Sequence, residues 1–163
     1  MHNLNLFTDG SVDSKTCIGY GAYLIVSDIE LPLNLQNTNV KTKQFGNTSS
    51  TKLELQTLLW ALNEIALLNS NEKTSITVYT DSQNIVSLPI RRAKLEQKNY
   101  YAKNGKRLNN ADLYQELFKL ADQFNCEFIK VKGHKAQKAK DKIDHIFELV
   151  DRASRSALRS HIL

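Results

Sequence analysis

Four acids stand where a carboxylate could do chemistry. Phe7-Thr8-Asp9-Gly10-Ser11 and Tyr79-Thr80-Asp81-Ser82-Gln83 echo one another as aromatic, Thr, Asp and small residue, each after an alternating stretch that reads as a strand. If the two strands are parallel neighbours, both aspartates emerge at the C-terminal edge of a sheet, where open α/β sheets hold their sites. Parity puts Asp9 on the face of Asn3, Asn5 and Phe7, and Asp81 on that of Ser75, Thr77 and Tyr79. The other use of either residue is a turn or a helix cap. Glu54 has two readings as well. Thr51-Lys52-Leu53-Glu54 fits a capping box, yet Glu54 heads the row Leu58, Ala61, Ile65, the side of a helix that packs on a sheet. Asp151 lies in the row Ile143, Phe147, Leu158, with Arg155 four residues on as an ion-pair partner. Asp141, Asp144 and Glu148 fall on less apolar rows and read as surface charges.

Converging carboxylates repel and stay ionised together only beside a cation. Hard oxygen donors suit Mg²⁺ or Mn²⁺ rather than zinc, and two such ions about 3.5–4 Å apart suit phosphodiester cleavage. The charge map agrees. The net charge is +5, but residues 91–107 carry +6 and residues 130–142 carry +5, which leaves −6 for the rest. An acidic body with two cationic segments suits a polyanionic partner, although such segments also serve as solvated faces. No Walker loop supports nucleoside triphosphate hydrolysis.

The elements that must position these acids are short and alternate in type. Strand patterns occur at residues 3–8, ending at the Asp9-Gly10-Ser11 turn signal, at 19–27, within 34–45, at 75–80 and at 127–132. Helical spacing covers 51–68, 82–88, 89–98, 110–124 and 141 to the end, with Pro89 suited to a helix's first turn. The order β-β-β-α-β-α-α-α-β-α implies an antiparallel meander followed by βα units, hence an α/β (α+β mixed) fold with a mixed sheet. A length of 163 residues suits one domain, 1–163. Cys17 and Cys126 are too few for a disulfide framework, and neither a secretory signal nor a membrane span is visible, so a soluble cytoplasmic protein is expected.

The ordered set TDGS at Thr8–Ser11, KLEL at Lys52–Leu55, TDSQ at Thr80–Gln83, KGH at Lys132–His134 and VDRAS at Val150–Ser154 resembles the successive signatures of ribonuclease H type 1. The resemblance implies the ribonuclease H-like fold, a five-stranded mixed sheet of order 3-2-1-4-5 flanked by helices. It also implies an endonuclease that cuts the RNA strand of RNA–DNA hybrids and leaves 5′-phosphate and 3′-hydroxyl ends. Asp9, Glu54, Asp81 and Asp151 would be the carboxylates that hold two Mg²⁺ ions, with Mn²⁺ an alternative. His134 would be the loop histidine that assists proton transfer or product departure. Residues 89–110 resemble a basic handle for the DNA strand, with Arg91, Arg92, Lys94 and Lys98, while Asn110 and Ser49 fall where a DNA phosphate is held. Gly10, Ser11, Ser50, Thr51 and Gln83 complete the implied contacts to the hybrid, and the enzyme would act as a monomer.

The chain departs from the family pattern at three places. Val12 to Cys17 replaces a Gly/Pro/Asn-rich turn, and Ser50 and Thr51 stand where paired asparagines are usual. The interval from His134 to Asp151 is 17 residues and lysine-rich. Asp144 would give a shorter spacing, but Arg152-Ala153-Ser154 after Asp151 fit the closing helix. The lysine loop, 130–142, has no full counterpart and is expected to add salt-sensitive grip through Lys135, Lys138 and Lys140. Same-fold transposases, integrases and resolvases usually carry extra DNA-binding domains. A binding module without catalysis would gain nothing from four acids facing phosphates.

Overall fold

A computed structural model describes residues 2–36, 39–68, 73–132 and 141–162. The strands are β1 (His2–Asp13), β2 (Ile18–Val26), β3 (Lys41–Phe45), β4 (Thr74–Thr80) and β5 (Glu127–Lys130). The helices are α1 (Ser50–Leu68), α2 (Gln83–Val86), α3 (Leu88–Gln97), α4 (Ala111–Gln123) and α5 (Lys142–Ile162). The sheet runs β3-β2-β1-β4-β5, with β1, β2 and β3 antiparallel and β4 and β5 parallel to β1. This is the expected mixed sheet and order.

Alternation along β1 divides the core between two faces. Leu6 joins Tyr23, Ile76 and Val78 under α1 and α4, which contribute Leu55, Leu58, Leu62 and Leu117. Phe7 joins Ala22, Leu24 and Tyr79 on the opposite face, covered by Phe147 and Val150 of α5. Among the described residues, no helix is long and apolar enough to cross a membrane.

Two expectations give way, and one open alternative is decided. β1 does not turn at Asp9-Gly10-Ser11. It continues to Asp13 because β2 pairs with it throughout, Asp9 opposite Ala22 and Gly10 opposite Gly21. The turn comes after Asp13, whose carboxylate accepts from Lys15 N–H (3.2 Å) and Thr16 Oγ1 (2.9 Å). Helix α1 is not opened by a Thr51–Glu54 capping box. It starts at Ser50, and the Ser49 hydroxyl accepts from Lys52 N–H at 3.3 Å, which leaves the Glu54 carboxylate for other work. Asp144 is no surface charge: it is only 8% exposed. Asp141 N–H donates to Asp144 Oδ2 (3.1 Å) and Asp144 N–H to Asp141 Oδ1 (2.9 Å), a reciprocal cap at the start of α5.

The close seat of α1 requires glycine beneath it. A Cβ at Gly10 or Gly19 would lie 2.8 or 2.7 Å from Leu53 Cδ2, and one at Gly21 only 2.2 Å from Thr57 Oγ1. Thr57 cannot easily turn away, because its hydroxyl donates to Leu53 O at 2.7 Å. Gly21→Ala is therefore expected to cost about 1–3 kcal/mol in urea unfolding. Gly46→Ala, whose Cβ would meet nothing within 4 Å, should stay within about 0.5 kcal/mol.

Candidate active site

The parallel pairing of β1 with β4 builds the site. Its register ends at Phe7 opposite Tyr79, and their rings stack at 4.6 Å and 10° on the α5 face. Asp9 and Asp81 each come two residues later, so both stand just past one end of the β1–β4 pairing. Asp9 continues on the strand, half-buried, while Asp81 lies exposed just beyond β4. Asp151, half-buried on α5, faces Asp9 from the side.

The electrostatics reflect this convergence. The Asp9 carboxyl is pushed up to about 8, first by burial, then by the negative charge of Asp81, and then by a hydrogen bond shared with the Asp151 carboxyl; the Gly10 N–H opposes the rise. Asp151 also accepts from Arg155 Nη2 at 2.5 Å. The ion pair and the site role, alternatives on the sequence alone, thus coexist.

Glu54 reaches this edge from the other face. Its row Leu58, Ala61 and Ile65 is buried as expected, and the carboxylate accepts from Ser82 Oγ at 2.5 Å. Burial holds Glu54 above the usual carboxylate range, the Ser82 hydrogen bond pulls it down, and Asp81 pushes it up. Ser82 is buried, and its Oγ also accepts from Ile85 N–H at 3.2 Å, so it caps α2 while holding Glu54. Sequence reasoning missed Ser82, although its place between Asp81 and a short helical pattern was the signal of a cap.

The donor set is all carboxylate oxygen, and the repulsion that raises Asp9 is what a hard cation would relieve, so the residues fit Mg²⁺ or Mn²⁺ chemistry. Among the described residues no three carboxylates, imidazoles or thiols already enclose a metal position. A cation held here would need side-chain rotation to complete its shell. Asp144, capping the start of α5 with Asp141, is committed elsewhere.

The family model for RNase H matches residues 1–154. The chain belongs to the ribonuclease H family. The ribonuclease H of Caldicellulosiruptor saccharolyticus is 30% identical over 150 residues, covering 90% of this chain and 94% of that one. That of Treponema denticola is 28% identical over 157 residues, covering 88% and 94%. Among solved structures, LC9-RNase H1, a type 1 RNase H with the type 2 active-site motif, has a TM-score of 0.70 at 17% identity, covering 96% of this chain and 72% of that one. LC11-RNase H1 in complex with RNA/DNA hybrid has a TM-score of 0.61 at 18% identity, covering 95% and 99%. These two show the shared fold.

Around the acids of this ribonuclease H, the remaining expected contacts fall into two groups. Ser49, Ser50, Thr51, Gln83, Lys94 and Lys98 are exposed. Gln83 accepts from Lys130 Nζ at 2.8 Å, which ties α2 to the end of β5. Asn110 precedes α4 half-buried and makes no side-chain cap. Gly10 and Ser11 lie within β1. By contrast, Arg91 is engaged with Asn84 and Ser87, and Arg92 with Glu96 and Asp122. These two arginines brace α3 against α2 and α4. Tyr100 is 6% exposed in the core, whereas Tyr101 is 44% exposed and turns its ring to solvent. Gly133, His134, Lys135, Lys138 and Lys140 lie outside the described residues.

Two measurements check the site. Ser82→Ala removes a helix cap and the partner of Glu54, and should cost about 2 kcal/mol in denaturant melts, largely recovered in Ser82→Thr. The Asp9 carboxyl ionises near 3.8 when unfolded but only near about 8 when folded. Between those values the unfolded chain has released a proton that the fold retains, so metal-free stability falls as pH rises from about 4 to about 8. Asp9→Asn should flatten this decline in melts run with chelator; an unaltered slope would contradict the assignment.

Proposed function

We propose that this ribonuclease H is an endonuclease that hydrolyses the RNA strand of RNA–DNA hybrids and leaves 5′-phosphate and 3′-hydroxyl ends. The observation that carries the reading is the convergence of Asp81 and Asp151 on Asp9 at the β1–β4 edge, with Glu54 tied beside them through Ser82. The hybrid bound by its structural neighbour LC11-RNase H1 supports the substrate class.

Asp9, Glu54, Asp81 and Asp151 would hold two divalent cations, Mg²⁺ or Mn²⁺. Such ions, when bound, activate a water and stabilise the leaving oxygen of the phosphodiester. The chain's own contribution is placement. The Phe7–Tyr79 stack keeps Asp9 and Asp81 at one offset, Ser82 fixes Glu54, and Arg155 steadies Asp151. Lys94 and Lys98, with the exposed Tyr101, meet the DNA strand from the handle, while Arg91 and Arg92 keep that handle rigid. Ser49 and Asn110 serve a DNA phosphate, and Gly10, Ser11, Ser50, Thr51 and Gln83 border the RNA strand, whose 2′-hydroxyls distinguish it from DNA. His134 assists proton transfer or product departure. The enzyme acts as a monomer in the cytoplasm, in keeping with two free cysteines.

Purified protein with Mg²⁺ should cut the RNA of an end-labelled hybrid, stop when chelator is added and spare duplex DNA; equal cutting of both duplexes would sink the specificity. Asp9→Asn and Asp81→Asn should each lower turnover by more than about 100-fold, beyond what changes outside the ligand shell usually cost, while hybrid binding stays measurable.

A further inference from the structure

Strand β1 and helix α5 meet in two rungs beside the acids, and only one of the rungs is made of acids. Asp9 and Ser11 share the α5 face of β1 with Phe7, because side chains two apart on a strand point the same way. On α5, Asp151 and Ser154 are three residues apart and so are neighbours on one face of the helix. The first rung is the hydrogen bond shared by the Asp9 and Asp151 carboxyls. The second joins Ser11 Oγ to Ser154 Oγ at 3.1 Å.

The direction of the second rung follows from its protons. Ser154 Oγ donates its one proton to Asp151 O at 3.0 Å, so between the two hydroxyls Ser11 is the donor and Ser154 the acceptor. The path therefore starts two residues after Asp9 and ends on the backbone carbonyl of Asp151. Ser154 is 0% exposed, so it cannot touch a nucleic acid itself. A buried helical serine also has a plain use, bonding a carbonyl of the preceding turn to satisfy its own hydroxyl. That use accounts for the bond to Asp151 O, but not for the strand hydroxyl that meets Ser154 across the interface. Facing carboxylates press strand and helix apart when both are charged, whereas a pair of hydroxyls holds them together without that penalty.

We infer that Ser11 and Ser154 are positioning residues: their hydroxyl pair fixes the Asp151 backbone against β1 and so sets the separation at which the Asp9 and Asp151 carboxylates can share a divalent cation. This rests on the hybrid-cleavage reading. It gives Ser11, expected from the sequence as a contact to the hybrid, a task inside the fold. A serine that only satisfies itself changes stability alone, and a serine that only touches substrate changes hybrid affinity alone. A tether between the two acid-bearing elements changes metal affinity.

The test is a calorimetric titration of nucleic-acid-free protein with Mn²⁺, run beside hybrid binding in chelator and steady-state cleavage with Mg²⁺. Ser154→Ala puts the strongest helix former into α5 and leaves the half-buried Ser11 hydroxyl to water, so the helix is retained. It should weaken Mn²⁺ binding about 10-fold, the low end for a residue that orients a metal ligand, and lower kcat with KM for hybrid unchanged. Ser11→Ala should do the same, and Ser11→Thr, which keeps the hydroxyl, should recover most of the loss. The double variant Ser11→Ala/Ser154→Ala should lose no more than either single one. Tyr20→Phe is the control: it removes the hydrogen bonds of Tyr20 OH with Gln44 Oε1 (2.9 Å) and His161 Nδ1 (3.3 Å) that tie the last turn of α5 to the sheet. It should lower the melting temperature and leave Mn²⁺ affinity as it is. Unaltered Mn²⁺ affinity in Ser154→Ala, an equal loss in Tyr20→Phe, fully additive losses, or an effect of Ser11→Ala on hybrid binding alone would each overturn the tether while wild-type cleavage stands. If wild type neither takes up Mn²⁺ nor cuts hybrid, the functional reading itself fails, and the tether with it.

Discussion

At Gly21 a helix side chain occupies the place where any other residue would put its Cβ, and the same holds less severely at Gly10 and Gly19. This close approach of α1 to the β1–β2 ladder is the constraint on which the site depends. It sets the depth at which Leu53 and Thr57 rest, and one residue past Leu53 stands Glu54. A helix lifted by a methyl group would carry its carboxylate away from Ser82, and the hydroxyl that caps α2 would lose its acceptor. Packing on one face thus determines chemistry at the edge.

The second constraint is electrostatic. Selection for a stable fold alone would not bring Asp81 and Asp151 against a half-buried Asp9, because each ionised carboxylate makes the others costlier to ionise. The fold tolerates the arrangement by keeping a proton on Asp9 and an arginine on Asp151. Both neutralise charge that a divalent cation, if bound, would neutralise in their place. The tension is local: elsewhere Asp13, Asp141 and Asp144 are capped, and Glu148 is paired with Arg152.

Much of this is legible in the residues, for physical reasons. Strand alternation and helical rows survive in a chain whose faces are clearly buried or exposed, so the five strands and five helices of the described residues can be read ahead of the structure, while the sheet order follows only from the family resemblance. The matched aromatic-Thr-Asp segments announce a shared edge because parallel strands in register must end together. The features that stay hidden depend on partners far apart in the chain. Asp9-Gly10-Ser11 looks like a turn because its pairing with β2 is invisible locally. Glu54 looks like half of a capping box because Ser82 is 28 positions away. Asp144 looks exposed because a reciprocal cap hides an acid on a polar row. Arg91 and Arg92 look available to DNA, whereas their partners on α2 and α4 arrive only with the fold.

The reciprocal cap of Asp141 and Asp144 has a bearing on how such a chain can change over generations. It defines the first turn of α5 from within, and Ile146, Phe147 and Val150 then lock the helix against the sheet. The place of Asp151 is consequently set by the residues from Asp141 onward, not by the length of chain before them. Residues added or lost ahead of Asp141 leave the position of Asp151 on α5 unchanged. From Asp141 to Asp151 the spacing is fixed by the cap and the helix, so variation in length that spares the acid is confined to positions ahead of Asp141.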